Sequence, residues 1–325
     1  MRLCSLAVVS AALFLPATLA FAADPGDTLA LLNRTVAAAQ KLNFAGTFVY
    51  QSGGTTETSR IAHVVEASRE LEKLEVLDGS PREIVRNDNE VRCYLPERKL
   101  VLVERREARR GFPALLPASI ANLTEHYTLR KGAMGRVAGI DAQAAYLEPR
   151  DEFRYGHQLW IDPGSGLLLK ATMLNEKGEA LESFAFTQVQ IGGAIDRSLL
   201  RSRYDGQGGD WRVQDPRATE TRQDETGWIF RNPPPGFRKV AGLRRGASGE
   251  QPGAMHVLFS DGLAAISVFI EPLGQRSAEK METGVSRVGA VSVYQRVLGE
   301  SLLVILGEVP PSALKRVGDS VEKRK

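Results

Sequence analysis

Between positions 44 and 191 turn chemistry interrupts the chain repeatedly: Asp78-Gly79-Ser80-Pro81, Asn87-Asp88-Asn89, Pro96-Glu97-Arg98-Lys99, Pro163-Gly164-Ser165-Gly166 and Asn175-Glu176-Lys177-Gly178. The stretches between these turns are strand-sized, which predicts an antiparallel meander whose last three strands are 158–162, 167–174 and 180–191. In Phe44-Ala45-Gly46-Thr47-Phe48-Val49-Tyr50 the period of two puts Phe44, Phe48 and Tyr50 on one face. Gly46 between them leaves room for a close backbone approach or a ligand. Helical spacing occurs around 27–42, where Asp27 is expected to cap a helix carrying Leu29, Leu32, Val36, Ala39 and Leu42, and around 117–123. The expected fold is mainly β with helices (α+β), built on one large curved sheet.

From 203 to 226 the chain turns polar and glycine-rich, with Pro216 and few apolar residues apart from Trp211 and Val213, which marks a domain boundary. Beyond it, 255–259 and 263–270 flank Ser260-Asp261-Gly262 as a hairpin, and 288–298 and 300–306 read as two more strands. A final amphipathic helix is expected over 311–321, with Leu314 and Val317 inward and Lys315, Arg316 and Lys323 outward.

The N-terminus has the form of a secretory signal: Met1-Arg2, an apolar run over 6–19, then Ala20-Phe21-Ala22. Ser10, Pro16 and Thr18 interrupt that run, which is shorter than the ~20 apolar residues of a bilayer span. The division expected is therefore signal peptide 1–22, a first domain 23–203, a linker 204–226 and a smaller domain 227–325. Cleavage removes Cys4 and leaves Cys93 as the single thiol, so no intrachain disulfide can form. Cys93 shares a strand face with Val91 and Leu95 and reads as a small buried apolar residue. Basic and acidic residues nearly balance, so no global field favours nucleic acid.

Catalytic patterns are sparse. His63, His126, His157 and His256 are far apart in sequence, and none has a second ligand at metal-binding spacing, so no metal or cofactor is expected. Two Ser-x-x-Lys matches, at Ser277 and Ser312, lack the companion motifs of a serine enzyme, and Gly206 to Gly209 neither follows a clear strand nor opens a helix. Two features admit a binding reading. The basic run Arg105, Arg106, Arg109 and Arg110 precedes Phe112, Leu115 and Leu116, and this segment is either a solvated loop or a holder for an anionic amphiphile. The face of Phe44, Phe48 and Tyr50 is either core or the wall of a lipid-sized pocket.

Several segments together resemble the MucB/RseB family of periplasmic regulators: 77–86 (Leu77-Asp78-Gly79-Ser80-Pro81-Arg82-Glu83-Ile84-Val85-Arg86), Asn89-Glu90-Val91, Tyr94 with Pro96, Leu159-Trp160-Ile161-Asp162 and Gly178-Glu179-Ala180-Leu181-Glu182-Ser183-Phe184. Pro235-Gly236-Phe237, Phe259-Ser260-Asp261-Gly262 and Gly307-Glu308-Val309-Pro310-Pro311 extend the resemblance to the second domain. It implies a first domain similar to the lipoprotein carriers LolA and LolB, an unclosed half-barrel over helices, and a second domain that grips a partner.

The implied function is a non-enzymatic negative regulator. It would bind the periplasmic segment of a transmembrane anti-sigma factor, shield it from site-1 proteolysis, and let go when lipopolysaccharide or another lipid signals envelope stress. Lys315 and Arg316 are partner-binding candidates; no nucleic acid is implied, and a homo-oligomer is compatible. The alternative is a periplasmic lipid or lipoprotein carrier, and a hydrolase ranks third. Export makes the first prediction: N-terminal sequencing of the periplasmic protein is expected to begin at Ala23, and an intact Met1 would contradict it.

Overall fold

The computed structural model describes residues 25–67, 69–105, 116, 120, 122–206, 210–214, 219–220, 227–244, 254–274 and 281–324. Helix α1 (Pro25–Lys41) opens the described chain, and Asp27 lies inside its first turn instead of capping it, within 3.7 Å of Lys131. There the carboxylate still complements the positive end of the helix dipole. The helix stops before Asn43, whose side chain accepts the Val65 N–H at 2.8 Å.

Strands β1 (Phe44–Ser52), β2 (Thr55–Glu66), β3 (Arg69–Val76), β4 (Glu83–Asn87), β5 (Glu90–Leu95) and β6 (Leu100–Arg105) follow as a meander. Of the helix expected over 117–123, residues 117–119 and 121 lie outside the described residues; a single helical turn, α2 (Leu123–His126), begins at its last position. A second meander comprises β7 (Tyr127–Val137), β8 (Ile140–Pro149), β9 (Gly156–Ile161), β10 (Leu168–Leu174) and β11 (Ala180–Ile191). β1 pairs with β11 and joins the two into one twelve-stranded sheet, completed by β12 (Arg212–Gln214). Its edges, β7 and β12, do not pair, so the sheet curves without closing.

Two layers fill the concave side. Leu31 and Leu32 of α1, with Leu116, Ile120 and Leu123, pack on Phe44, Phe48, Phe184 and Phe186. The convex side carries an apolar cluster of Ala45, Ala62, Val64, Ile195 and Leu200 beside a set of buried ion pairs, and a strap that leads out of the domain lies on it. Lys73 donates to the Arg201 carbonyl at 2.8 Å and pairs with Glu83 at 3.1 Å; Arg203 pairs with both Glu75 and Glu83. Tyr94, Tyr204 and Trp211 then cluster, with Asp205 accepting from the Tyr94 hydroxyl. Residues 212–214 of the expected linker thus form a strand, parallel to β6, because backbone pairing asks little of the side chains.

The second unit contains β13 (Thr219–Glu220), β14 (Trp228–Phe230), β15 (Arg238–Arg244), β16 (Met255–Ser260), β17 (Ala265–Pro272), β18 (Gly284–Val288), β19 (Val291–Leu298), β20 (Ser301–Gly307), α3 (Pro311–Asp319) and β21 (Val321–Lys323). Seven of these strands form a sheet in the order β13-β15-β16-β17-β20-β19-β18, while β14 and β21 pair separately. The strand expected over 288–298 is broken at Gly289-Ala290, where Gly289 takes a φ of +60° and turns the chain into a hairpin. Ala313, Leu314 and Val317 press α3 onto the sheet.

The two units meet at a buried cation. Arg154, in the loop between β8 and β9, is 2% exposed. Its Nε donates to Asp151 at 3.0 Å, its Nη1 to Asp261 of the second unit at 2.7 Å and its Nη2 to the Pro235 carbonyl. The rings of Tyr127 and Phe237 lie on either side, 5.6 and 5.2 Å from the guanidinium carbon. Asp261 also accepts from the N–H groups of Leu263 and Ala264, so the carboxylate is satisfied as well. Ser312 donates to the Glu152 carbonyl at 2.6 Å, and the His126 ring sits where any side chain at Gly236 would collide with it.

A buried ion pair adds modest net stability when whole, yet loss of one partner strands a charge at about 3–5 kcal/mol. Arg154→Ala and Asp261→Ala are each expected to lose roughly that much in urea denaturation. A loss below about 1 kcal/mol in both would mean that the seam is open in solution.

Candidate recognition surfaces

Phe44 and Phe48 face the concave side as expected, and both are buried. Phe48 meets Phe184 and Phe186 edge-to-face at 6.2 and 6.0 Å, and Phe44 meets Phe186 at 6.3 Å. Gly46 serves a close approach: a Cβ there would come within 2.9 Å of the Phe186 ring and 2.5 Å of the Gln188 carbonyl oxygen. Leu116 is buried in the same core. Arg105 ends β6; Arg106, Arg109, Arg110, Phe112 and Leu115 lie outside the described residues.

The register shows an apolar surface that the linear sequence conceals. Gly46 stands opposite Ile61, Ile61 opposite Leu74, Leu74 opposite Ile84, Ile84 opposite Cys93 and Cys93 opposite Leu102. From Leu74 outward the row is half-buried, with Leu95 and Leu100 beside it as a further half-buried pair. A strip of apolar side chains therefore leaves the closed core and runs across β3 to β6 toward the start of the basic segment. Each strand contributes only one residue per row, so only the pairing exposes it.

Cys93 belongs to this strip and is half-buried instead of enclosed. Burial pushes its thiol pKa up, the opposite of what an activated nucleophile needs.

Tyr50, the third aromatic candidate, lies elsewhere. Its hydroxyl donates to Glu182 at 2.7 Å, and burial followed by that carboxylate raises its pKa. Glu308, from the second unit, adds its charge: its own pKa is pushed up to about 7, by burial first and then by Glu182, although part of its surface stays open to solvent. Protonation of either acid relieves repulsion between the units. Close by, Tyr155, Met173 and Ala290 form a small apolar cluster, Arg287 donates to the Tyr155 hydroxyl, and Gly53 packs directly on Gly289.

Lys315 is exposed on α3 as expected, but Arg316 is not outward. Its guanidinium donates to Asn232 at 2.9 Å and lies 4.9 Å from the Phe153 ring of the first unit, which makes it part of the seam. The segments that carried the family resemblance acquire physical roles here. Glu83 and Arg86 belong to the ion pairs of the first sheet; Pro235, Phe237 and Asp261 surround Arg154; Glu182 and Glu308 meet beside Tyr50. None of these contacts is visible as a spacing, because the partners lie from ten to more than a hundred residues apart.

Comparison with known proteins agrees with this division. The model of the MucB/RseB N-terminal domain matches residues 27–204, and that of the MucB/RseB C-terminal domain matches 222–322. The sigma factor AlgU regulatory protein MucB of Pseudomonas aeruginosa is 33% identical over 99% of this chain and 98% of its own length. The sigma-E factor regulatory protein RseB of Salmonella typhimurium is 28% identical over 98% of this chain and 97% of its own. Among solved structures, the Pseudomonas aeruginosa MucA/MucB complex is similar with a TM-score of 0.73 at 30% identity, over 92% of this chain and 99% of that one. MucB in complex with MucA(peri) gives 0.71 at 31% identity, over 93% and 100%. Two domain models in sequence order, and relatives matched nearly end to end, place this chain in the MucB/RseB family.

Proposed function

We propose that this protein is a periplasmic, non-enzymatic regulator that binds the periplasmic segment of a membrane anti-sigma factor and shields it from site-1 proteolysis. The observation that carries this reading is the end-to-end relationship to MucB, a sigma factor regulatory protein solved in complex with MucA. The seam supports it: Arg154, hydrogen-bonded through all three of its nitrogens, holds two dissimilar units as one surface, which suits recognition of an extended segment by both. Two of the side chains considered for chemistry are otherwise engaged among the described residues, and Ser277 lies outside them. Ser312 of the Ser-x-x-Lys match donates across the seam, and the Cys93 thiol is held protonated by burial.

Lipid is the release signal in this reading. The strip of Leu74, Ile84, Cys93 and Leu102 offers acyl chains an apolar track, and Arg105, Arg106, Arg109 and Arg110 follow it in sequence as phosphate-pairing groups. Phe44 and Phe48 then act as the closed end of that track, with Tyr50 at the seam. If lipid weakens partner binding, partner weakens lipid binding by the same factor, with coupling of about 1–3 kcal/mol. The strip also favours a second reading, a lipid or lipoprotein carrier, which requires transfer between vesicles without any peptide partner.

Protection of the anti-sigma segment from its site-1 protease is the direct test. Saturating protein is expected to slow cleavage, added lipopolysaccharide to restore it, and unchanged cleavage would remove the regulatory reading. Ile84→Asp with Leu102→Asp is expected to abolish the lipopolysaccharide effect while protection persists. Lipid release that survives both changes would rule out the strip as its site.

A further inference from the structure

The pairing of β2 with β3 sets His63 opposite Glu72 and Val65 opposite Glu70. His63, Glu70 and Glu72 consequently share the concave face, where the His63 ring lies 5.2 Å from that of Phe44. His63 is 0% exposed and Glu72 4%, while the Glu70 side chain is 20% exposed. One ligand atom from each lies within 4.8 Å of the other two.

The hydrogen bonds define what this cluster lacks. His63 Nδ1 is 2.8 Å from the Leu42 carbonyl oxygen, which can only accept, so Nδ1 carries the hydrogen. Nε2 lies 3.2 Å from Glu70 Oε1. In a neutral ring, that nitrogen would turn a lone pair toward a carboxylate oxygen, two acceptors face to face. A second proton on His63 would serve Glu70, yet Oε2 of the buried Glu72 has no hydrogen-bond partner. Arg86 Nη1 lies 3.5 Å from the other oxygen, Oε1, and is itself without a hydrogen-bond partner. A cation between the three side chains satisfies all of them at once.

We propose that His63, Glu70 and Glu72 form a binding site for a divalent transition metal, Zn2+ by its donor set of one imidazole nitrogen and two carboxylate oxygens, with water as fourth ligand. The surrounding groups suit it. The Leu42 carbonyl, just past the end of α1, fixes the tautomer that turns the Nε2 lone pair toward the carboxylates, and the negative end of the helix dipole favours a cation nearby. Arg86 stays within ion-pair distance of the Glu72 carboxylate, 3.5 Å from Oε1. The metal would clamp β2 to β3 two residues from Leu74, at the boundary between the closed core and the apolar strip. Sequence spacing hides this site because a hairpin register, not a helix or a short motif, brings its ligands together.

Isothermal titration of the metal-stripped mature protein with ZnCl2 at pH 7.5 tests the site, with ion content measured independently by mass spectrometry. The expected result is one Zn2+ per chain, bound at least about tenfold more weakly by Glu70→Gln and by Glu72→Gln and unchanged by Glu66→Gln, a neighbouring carboxylate paired to Arg197. Binding should also weaken below pH 6 as protons compete for His63. If Glu72→Gln fails to fold by circular dichroism, Glu70→Gln, at the more exposed position, decides alone. Absence of saturable uptake, or uptake undiminished in the Glu70→Gln protein, would overturn the proposal.

Discussion

The Arg154 guanidinium, buried where two units of different architecture touch, is the constraint on which the rest of this structure depends. A lone cation in that position would be intolerable, and the molecule makes it tolerable only by bringing Asp151, Asp261 and the Pro235 carbonyl to it at once. The first of these comes from its own loop, the others from two turns of the second unit. The pair therefore contributes less to net stability than to uniqueness of arrangement: many relative orientations bury apolar area, but few satisfy this group. His126 against Gly236, Ser312 to Glu152 and Arg316 beside Phe153 all depend on the same alignment.

Much of the architecture was legible in the sequence because it is local. The period-two pattern and turn residues gave the meander, with 180–191 matching β11 in full, and Ser260-Asp261-Gly262 closes the β16 to β17 hairpin. Local signals erred where another local feature overrode them. Gly289 breaks an apolar run that reads as one strand, and polar composition does not prevent Arg212–Gln214 from pairing with β6. Long-range partnerships were not legible at all. Asp261 reads as a turn residue and no local pattern singles out Arg154, since 107 residues separate them. Likewise the apolar strip and the grouping of His63 with Glu70 and Glu72 exist only in the register of neighbouring strands.

Phe44 and Phe48 illustrate how the same face can be core at one end and surface at the other. Helix α1 is long enough to cover β1 and its neighbours but not the whole curve, so burial declines along the row from Ile61 to Leu102. The unclosed sheet thus presents apolar atoms beyond its own core. On its convex side, Lys73, Glu83 and Arg203 hold the segment that follows β11 against this sheet, so the strip and the ion pairs share the same strands, β3 and β4. Those strands are the physical basis for coupling lipid to partner in the regulatory reading.

The account stands on one claim: both units, fixed by Arg154, form a single surface for the anti-sigma segment. Calorimetric affinity of that periplasmic segment for the wild-type chain and for Arg154→Met, with secondary structure checked in parallel, tests it most directly. The account predicts tight binding by the wild type and at least tenfold weaker binding, about 1.4 kcal/mol, by the folded variant. Equal affinities, or no binding by the wild type, would contradict it.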